Sequence, residues 1–303
     1  MKFTVTILGT SAAIPTTDRN PTSHVVSIKN RLLLLDCGEG TQVQLRKAGV
    51  KIQKISHIFI SHLHGDHYYG LIGLINTMHL FGRSEPLHIF GIAPLKQLID
   101  LQLELSGTVL LYPLIFHVID SGISSVIVDD EMMQVTTIPL NHRIPTCGFL
   151  VREKQQLRKI RKDFVKSAKI PVPYYERIRK GEDFVDENGK IFFNSDITEN
   201  PLPAKAYAYC TDTAYYEPVV PIIKNADLLY HEATFMEDKA DDARAKFHST
   251  AREAALIAMK ANVKKLVIGH FSARYSDADG LLKEAQEVFA ETVVGVDGLV
   301  LEV

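Results

Sequence analysis

The stretch Ile58-Phe59-Ile60-Ser61-His62-Leu63-His64-Gly65-Asp66-His67 runs from an apolar β-type segment straight into four metal-binding side chains within six residues. Imidazole and carboxylate are ligands for borderline divalent ions such as zinc, with nitrogens at about 2.0–2.1 Å from the ion. A helix cannot aim all four inward. An extended backbone points His62 and His64 to one side, and Gly65 lets the chain turn so that Asp66 and His67 face inward from another. The pattern predicts a metal site at the end of a strand, with two ligand clusters, one per ion. Chance histidines in a polar loop are the weaker explanation, because histidine is a rare residue.

Around this motif lies a chain of 303 residues, 46% apolar and 23% charged, the composition of a globular protein with one large or two modest domains. No run approaches the ~20 apolar residues of a membrane span, and Met1–Ile7 alternates like a strand rather than like a signal peptide, so a cytoplasmic protein without membrane attachment is expected. Cys37, Cys147 and Cys210 are odd in number and widely spaced, which predicts reduced, mostly buried thiols with no catalytic role.

Short β-rich runs dominate the first half: Thr4–Leu8, Ser23–Lys29, Leu32–Leu35, Ile58–Ile60, Leu87–Phe90, Phe116–Ile119, Met132–Ile138 and Gly148–Val151, with helical stretches near Thr41–Lys47, Gly70–Met78 and Pro94–Glu104. The scheme recurs at Tyr207–Cys210, Asp227–Tyr230, Leu266–Ile268 and Thr292–Val303, with helices at Thr250–Lys260 and Leu281–Phe289. An α/β protein follows, two β-then-α halves packed sheet on sheet with helices outside.

Between the halves, Arg152–Lys180 holds eleven Lys/Arg and three acids, a balance of +8 in a chain whose net charge is −2. Such asymmetry predicts an inserted basic arm, spanning residues 152–196, that meets phosphates. Pro171, Pro173 and Gly181 suggest two short helices around a turn.

Further candidate ligands end apolar runs: Asp36, His142, Asp212 and His270. Strand ends are where a sheet holds functional groups rigidly. His24, His57, His79, His88 and His117 fall inside apolar or strand-like runs and are assigned structural roles.

Together, Leu35-Asp36-Cys37-Gly38-Glu39-Gly40-Thr41-Gln42, the HLHGDH run, His142, Asp212 and His270 resemble the ordered motifs of the metallo-β-lactamase superfamily. Leu8-Gly9-Thr10, His231-Glu232-Ala233-Thr234, His248-Ser249-Thr250 and His270-Phe271-Ser272-Ala273-Arg274-Tyr275 narrow the resemblance to its ribonuclease Z family, tRNA 3′-processing endoribonucleases, in the short form. The resemblance spans essentially the whole chain. It implies a single four-layer αββα domain over residues 1–303, interrupted by a flexible exosite arm.

It also implies two zinc ions per subunit, with manganese as the alternative. His62, His64 and His142 would hold one, Asp66, His67 and His270 the other, and Asp212 would bridge. Two such ions suit phosphodiester hydrolysis by activating water and neutralising phosphoryl charge. By the same resemblance Asp66 is the general base. His248 is the expected proton donor to the leaving 3′-oxygen and Glu232 its partner, since a carboxylate beside imidazole favours the protonated form. Asp36 is expected to fix the tautomer of a ligand histidine, and Ser272, Arg274 and Arg19 to contact phosphate.

In the arm, Arg158, Lys159, Arg161, Lys162, Lys166, Lys169, Arg177, Arg179 and Lys180 form the expected exosite for a tRNA precursor, and the resemblance implies a homodimer. Val172-Pro173 stands where many members carry Gly-Pro, and Thr17 where the family often has lysine. The competing readings are a small-molecule phosphodiesterase or esterase of the same superfamily and a non-catalytic RNA-binding scaffold. The basic arm disfavours the first and the complete ligand set the second.

Overall fold

A computed structural model describes residues 3–303. Strands β1 to β6 (Thr4–Gly9, Ser23–Ile28, Arg31–Leu35, Ile55–Phe59, Leu87–Gly91, Leu114–Val118) build most of one sheet. Strands β7 to β13 (Val126–Asp129, Met133–Pro139, Cys147–Glu153, Ala206–Cys210, Leu228–Glu232, Leu266–Gly269, Thr292–Val294) build the second, and β14 (Val300–Glu302) returns to pair with β1 in the first. β3 to β6 run parallel, as do β10 to β13, so helices must carry the chain back between them.

The unbroken apolar run of β3 is explained by the two-residue period of a strand buried on both faces. Leu33 and Leu35 point into a layer between the sheets with Phe59, Phe90 and Phe149. Leu34 points outward with Ile58 and Ile89 onto Leu45, Leu71, Leu74, Ile75 and Leu95 of the covering helices. The second sheet packs Ala208, Leu229 and Ile268 against Ala254, Ala255, Ile257 and Ala258 of the helix Ala251–Lys260. Helix, sheet, sheet, helix is the αββα order expected from the sequence. Thr250 and Glu253 form a reciprocal capping box at the start of that helix, which satisfies two of its otherwise free backbone donors.

One expectation fails. Thr292–Val303 is not a single strand: it breaks at Gly295–Gly298, and its two pieces pair with different sheets. Gly298 sits at φ +90°, a conformation that glycine adopts without penalty. The strand Val126–Asp129 and the helix Ala240–Lys246 were not anticipated, being short and weakly periodic.

Residues Glu153–Ala204 form a separate compact unit from Met1–Arg152 with Lys205–Val303. It has its own small core of Ile160, Ile170, Ile178, Phe184 and Ile197 and contains the helices Lys162–Ser167 and Val172–Arg179. Val172-Pro173 opens the second helix, where proline's fixed φ and missing N–H suit the first turn. The unit carries eleven Lys/Arg against nine Asp/Glu, a balance of +2, because the segment after Lys180 is acidic.

His24 lies fully buried in the layer between the sheets, its Nδ1 2.7 Å from the Tyr207 hydroxyl. Burial lowers its pKa from 6.5 to about 3, so unfolding exposes a stronger base. The unfolded chain then binds one more proton between those values, and stability falls as pH drops from 6.5 towards 3 with a slope of about 1.4 kcal/mol per pH unit. Urea unfolding across that window is expected to show a slope lower by about one proton in His24→Phe than in wild type. Equal slopes would show that His24 is not held neutral.

Candidate metal centre

Loops at the C-terminal ends of parallel strands bring the candidate ligands together, the usual position for a site in such sheets. His62 and His64 follow β4, Asp212 follows β10 and His270 follows β12, while His142 follows the antiparallel β8. Close approach of the loops depends on Gly38, where a Cβ would lie 2.3 Å from the Asp66 carbonyl oxygen. Asp36 and His270 both take left-handed backbone, at φ 55° and 58°, a cost of order 1–3 kcal/mol each that side chains concentrated at a functional site commonly bear.

Two sets of donor atoms result. His64 Nδ1 lies 3.1 Å from His62 Nε2 and 3.2 Å from His142 Nε2, and Asp212 Oδ2 is 3.7 Å from each of those Nε2 atoms. On the other side, Asp66 Oδ2 lies 3.4 Å from His67 Nε2 and 3.5 Å from His270 Nε2, and Asp212 Oδ1 lies 3.2 and 3.1 Å from the same nitrogens. A tetrahedral ion with ligands at about 2.0–2.1 Å has ligand-to-ligand edges of about 3.3 Å. Both sets match that spacing, and Asp212 offers one oxygen to each.

The hydrogen-bond network fixes which nitrogens are free. His62 Nδ1 meets Ser61 Oγ at 2.9 Å, His67 Nδ1 meets Asp36 Oδ2 at 2.8 Å, His142 Nδ1 meets the Phe247 carbonyl at 2.9 Å and His270 Nδ1 meets Thr234 Oγ1 at 3.0 Å. Ser61 and Thr234 spend their own hydroxyl protons on Asp36 Oδ2 and Glu232 Oε2. Each Nδ1 therefore donates, and each Nε2 turns a lone pair to the centre, the arrangement in which outer partners orient metal-binding imidazoles. Nε2 of His67 and of His270 are buried with no hydrogen-bond partner among the described residues, as ligand atoms would be.

Electrostatics agree. Burial lowers His62, His64 and His142 and keeps them neutral, as ligation requires. Burial also opposes charge on His67, but Asp212, Asp66 and Asp36 outweigh it and raise its pKa well above the ordinary value. Burial pulls Asp66 and Asp212 up, yet His67 and His270 hold both carboxyls well below the usual range. The cavity therefore draws positive charge, and the residues fit divalent cations.

Asp36 is the hub beneath. Its two oxygens accept from Ser61 N–H at 2.8 Å, Ser61 Oγ at 2.9 Å, His67 at 2.8 Å and the Tyr209 hydroxyl at 2.7 Å. His248 Nδ1 lies 2.8 Å from Glu232 Oε1, which also accepts from Thr213 N–H. Burial lowers the His248 pKa, but the Glu232 carboxylate, with Asp212 and Asp66 beyond it, lifts it to about 9. His248 also comes within ligand spacing of Asp212 and His270. An imidazole that a buried carboxylate keeps protonated at neutral pH is a ready proton donor.

An open cleft of about 610 Å³ lies over the sets, lined by His64, Asp66, His142, Asp212, His248 and His270. The three residues expected to contact phosphate, Arg19, Ser272 and Arg274, are not among its lining. Arg19 is turned to the Tyr275 carbonyl and lies over the Phe271 ring. Arg274 pairs with Asp242 at 3.3 Å and lies over Phe235, and Ser272 Oγ faces the Arg274 amide.

In the arm, Arg177 and Lys180 pair with Glu182 and Glu176. Arg158 donates to Thr198 and Asn200, and Arg161 to the Thr198 carbonyl. Lys159, Lys162, Lys166, Lys169 and Arg179 are exposed, with no ion pair among the described residues. The fold adds roles that the sequence reading did not assign. Thr234 and Ser61 set tautomers, Ala13 donates its N–H to Asp66 Oδ2 at 2.8 Å, and Arg143 and Lys246 line the cleft. Arg143 adjoins His142, a signal that was available.

Residues 3–108 match a family model described as Anti-Pycsar protein Apyc1. The chain is 46% identical to a ribonuclease Z of Bacteroides fragilis over 98% of each protein, and 44% identical to one of Parabacteroides distasonis over 99% of each. Among solved structures it is similar to the short form of human tRNase Z, at a TM-score of 0.73 and 30% identity over 99% of this chain and 98% of that one. It also shares its fold with the Bacillus subtilis metallo-β-lactamase fold protein YhfI, at a TM-score of 0.71 and 19% identity over the whole of both chains.

Proposed function

The chain belongs to the ribonuclease Z family of metallo-β-lactamase-fold endoribonucleases, and from that premise we propose that it removes the 3′ trailer of tRNA precursors, cutting after the discriminator nucleotide to leave a 3′-hydroxyl. The observation that carries the reading is Asp212, whose two oxygens face two complete donor sets. Zinc ions, or manganese, held by His62, His64 and His142 and by Asp66, His67 and His270, with Asp212 shared, would supply an activated water and neutralise phosphoryl charge.

The chain's own groups do the rest. By the family resemblance Asp66, steadied by the Ala13 N–H, is the general base that orients the attacking water. His248 holds a proton against Glu232 and delivers it to the departing 3′-oxygen, which is too basic to leave unassisted. Asp36 keeps His67 in its ligating tautomer. The unpaired cations Lys159, Lys162, Lys166, Lys169 and Arg179 are the arm residues best suited to tRNA phosphates, with Arg158, Arg161, Arg177 and Lys180 serving the arm's own structure as well.

The deciding experiment is cleavage of an end-labelled precursor lacking CCA, by wild type and by Asp66→Ala, with and without chelator. A cut after the discriminator that disappears in the variant and with chelator is the expected result. If zinc-loaded wild type leaves the precursor intact while hydrolysing bis-(p-nitrophenyl) phosphate, the small-molecule reading replaces this one.

The arm can be tested cleanly because Arg152 and Ala206 are paired across neighbouring strands, so a short turn can replace the unit between them. Its removal is expected to cost at least about a hundredfold more on the precursor than on the small ester, the weight of a few lost phosphate contacts. Equal losses would remove the exosite from the mechanism.

We further propose a homodimer. Leu98, Leu101 and Leu105 share one face of the helix Ala93–Leu105, and Leu80, Phe81, Val109 and Leu111 are exposed beside it, with Leu111 N–H bonded to His79 Nδ1. Exposed apolar side chains on one helix face suit contact with a second copy of the chain. Sedimentation of wild type as a monomer at micromolar concentration would exclude the dimer.

A further inference from the structure

Two cations on the rim of the catalytic cleft have no role in the account above. Arg143 and Lys246 both line the cleft and are exposed, and neither has an acidic partner among the described residues. They stand on the same rim, because the His142 Nδ1–H bond to the Phe247 carbonyl, 2.9 Å long, joins residues 142–143 to residues 246–247. That rim is also the His248 rim, since the His142 and His248 ring centroids are 5.3 Å apart.

Lys246 Nζ rests 5.5 Å from the Phe235 ring centroid, a contact that props the ammonium without neutralising it. Phe247, at φ 59°, ends the helix Ala240–Lys246 in a left-handed turn that sets both the His142 contact and the direction of His248. The Asp66 side of the cleft carries Ile14, Pro15, Tyr69 and Glu39 instead, so the positive charge on the rim is one-sided. Arg274 and Arg19, both suggested as phosphate contacts by their place in the sequence, are occupied elsewhere.

We propose that Arg143 and Lys246 form a phosphate-binding edge for the RNA segment on the 5′ side of the scissile bond, the segment released as the tRNA 3′ end. The proposal rests on the tRNA-processing reading. Hydrolysis that leaves a 3′-hydroxyl expels the 3′-oxygen of the upstream nucleotide. His248 is the group that protonates it, so the strand ending in that oxygen must pass over the His248 rim. The cations flanking His142 and His248 then meet the phosphates of that strand, Arg143 through its planar fork and Lys246 as a point charge. The downstream trailer leaves over the uncharged and acidic side.

The test is steady-state cleavage by wild type, Arg143→Ala, Lys246→Ala and the double variant. The substrates are precursors with trailers of one and of ten nucleotides, together with bis-(p-nitrophenyl) phosphate. Each single variant is expected to raise KM for both precursors about five- to tenfold, in line with one lost charge-assisted phosphate contact. The double variant is expected to lower the salt dependence of log(kcat/KM) by between about 1 and 2. Its loss on the precursors should exceed its loss on the small ester at least tenfold, and the factor should be the same for both trailers.

A loss confined to the ten-nucleotide trailer would put the edge on the downstream side and overturn the proposal. Equal losses on RNA and small ester would reduce the two residues to a structural role and also overturn it. If wild type cuts neither precursor but does hydrolyse the ester, the tRNA reading itself has failed. That outcome is visible before any variant is compared.

Discussion

An Asp212→Ala protein is expected to lose at least about a thousandfold in kcat on a tRNA precursor, some 4 kcal/mol of transition-state stabilisation, and to retain less than the wild-type metal content after dialysis. The size of the effect follows from geometry. Asp212 is 3% exposed, with one oxygen 3.7 Å from His62 and His142 Nε2 and the other 3.2 and 3.1 Å from His67 and His270 Nε2. Its loss strips a donor from both sets at once and leaves buried imidazoles facing one another without the shared negative charge. Elemental analysis gives a readout independent of turnover, and far-UV circular dichroism checks the fold. A variant that keeps the full metal content and works within tenfold of wild type would mean that Asp212 does not serve both sets.

The second large effect is at His248. His248→Gln is expected to lower kcat on the precursor by about 10²- to 10⁴-fold, the usual contribution of a positioned general acid, while metal content stays at the wild-type level. The discriminating comparison is chemical. The RNA 3′-oxygen leaves as a strongly basic alkoxide unless it is protonated, whereas p-nitrophenolate is a stable anion that needs no proton. The loss on bis-(p-nitrophenyl) phosphate should therefore be at least tenfold smaller than the loss on RNA. Glu232→Gln should follow the same pattern less severely, because the amide still holds the ring through a hydrogen bond but no longer stabilises its charge. If His248→Gln lost the same factor on both substrates, the residue would be acting on the site's structure or on binding rather than on the leaving group.

Much of this centre was legible in the sequence because its ligands are the polar residues that terminate apolar runs. His62 to His67 stand after one such run, and Asp36, His142, Asp212 and His270 after four others. The two sheets were legible for the same reason: strands buried on both faces leave runs such as Leu32–Leu35, and the helices between them leave a 3.6-residue period.

What was hidden depends on contacts distant in sequence. Thr234 becomes a partner of His270 only because β11 and β12 lie side by side, and Ala13 reaches Asp66 across fifty-three residues. Side-chain direction was equally hidden. Arg274 lies four residues from His270 but pairs with Asp242, while Arg143, marked in the sequence only by its place beside His142, lines the cleft. The arm's charge balance changes with the boundaries of the folded unit: the basic run from Lys154 to Lys180 shares one unit with the acidic run after it, and Arg177 and Lys180 are taken up in ion pairs within it.

Asp36 receives hydrogen bonds from Ser61 and His67 of one sheet's loops and from Tyr209 of the other sheet. A single carboxylate thus acts as a survey mark from which both halves of the molecule take their position. Each half contributes ligands, so an error of placement in either sheet is passed to the centre through that one mark. The spacing between donor atoms is then a property of how the whole sandwich closes, and a core substitution far from any ligand has a direct route to metal affinity.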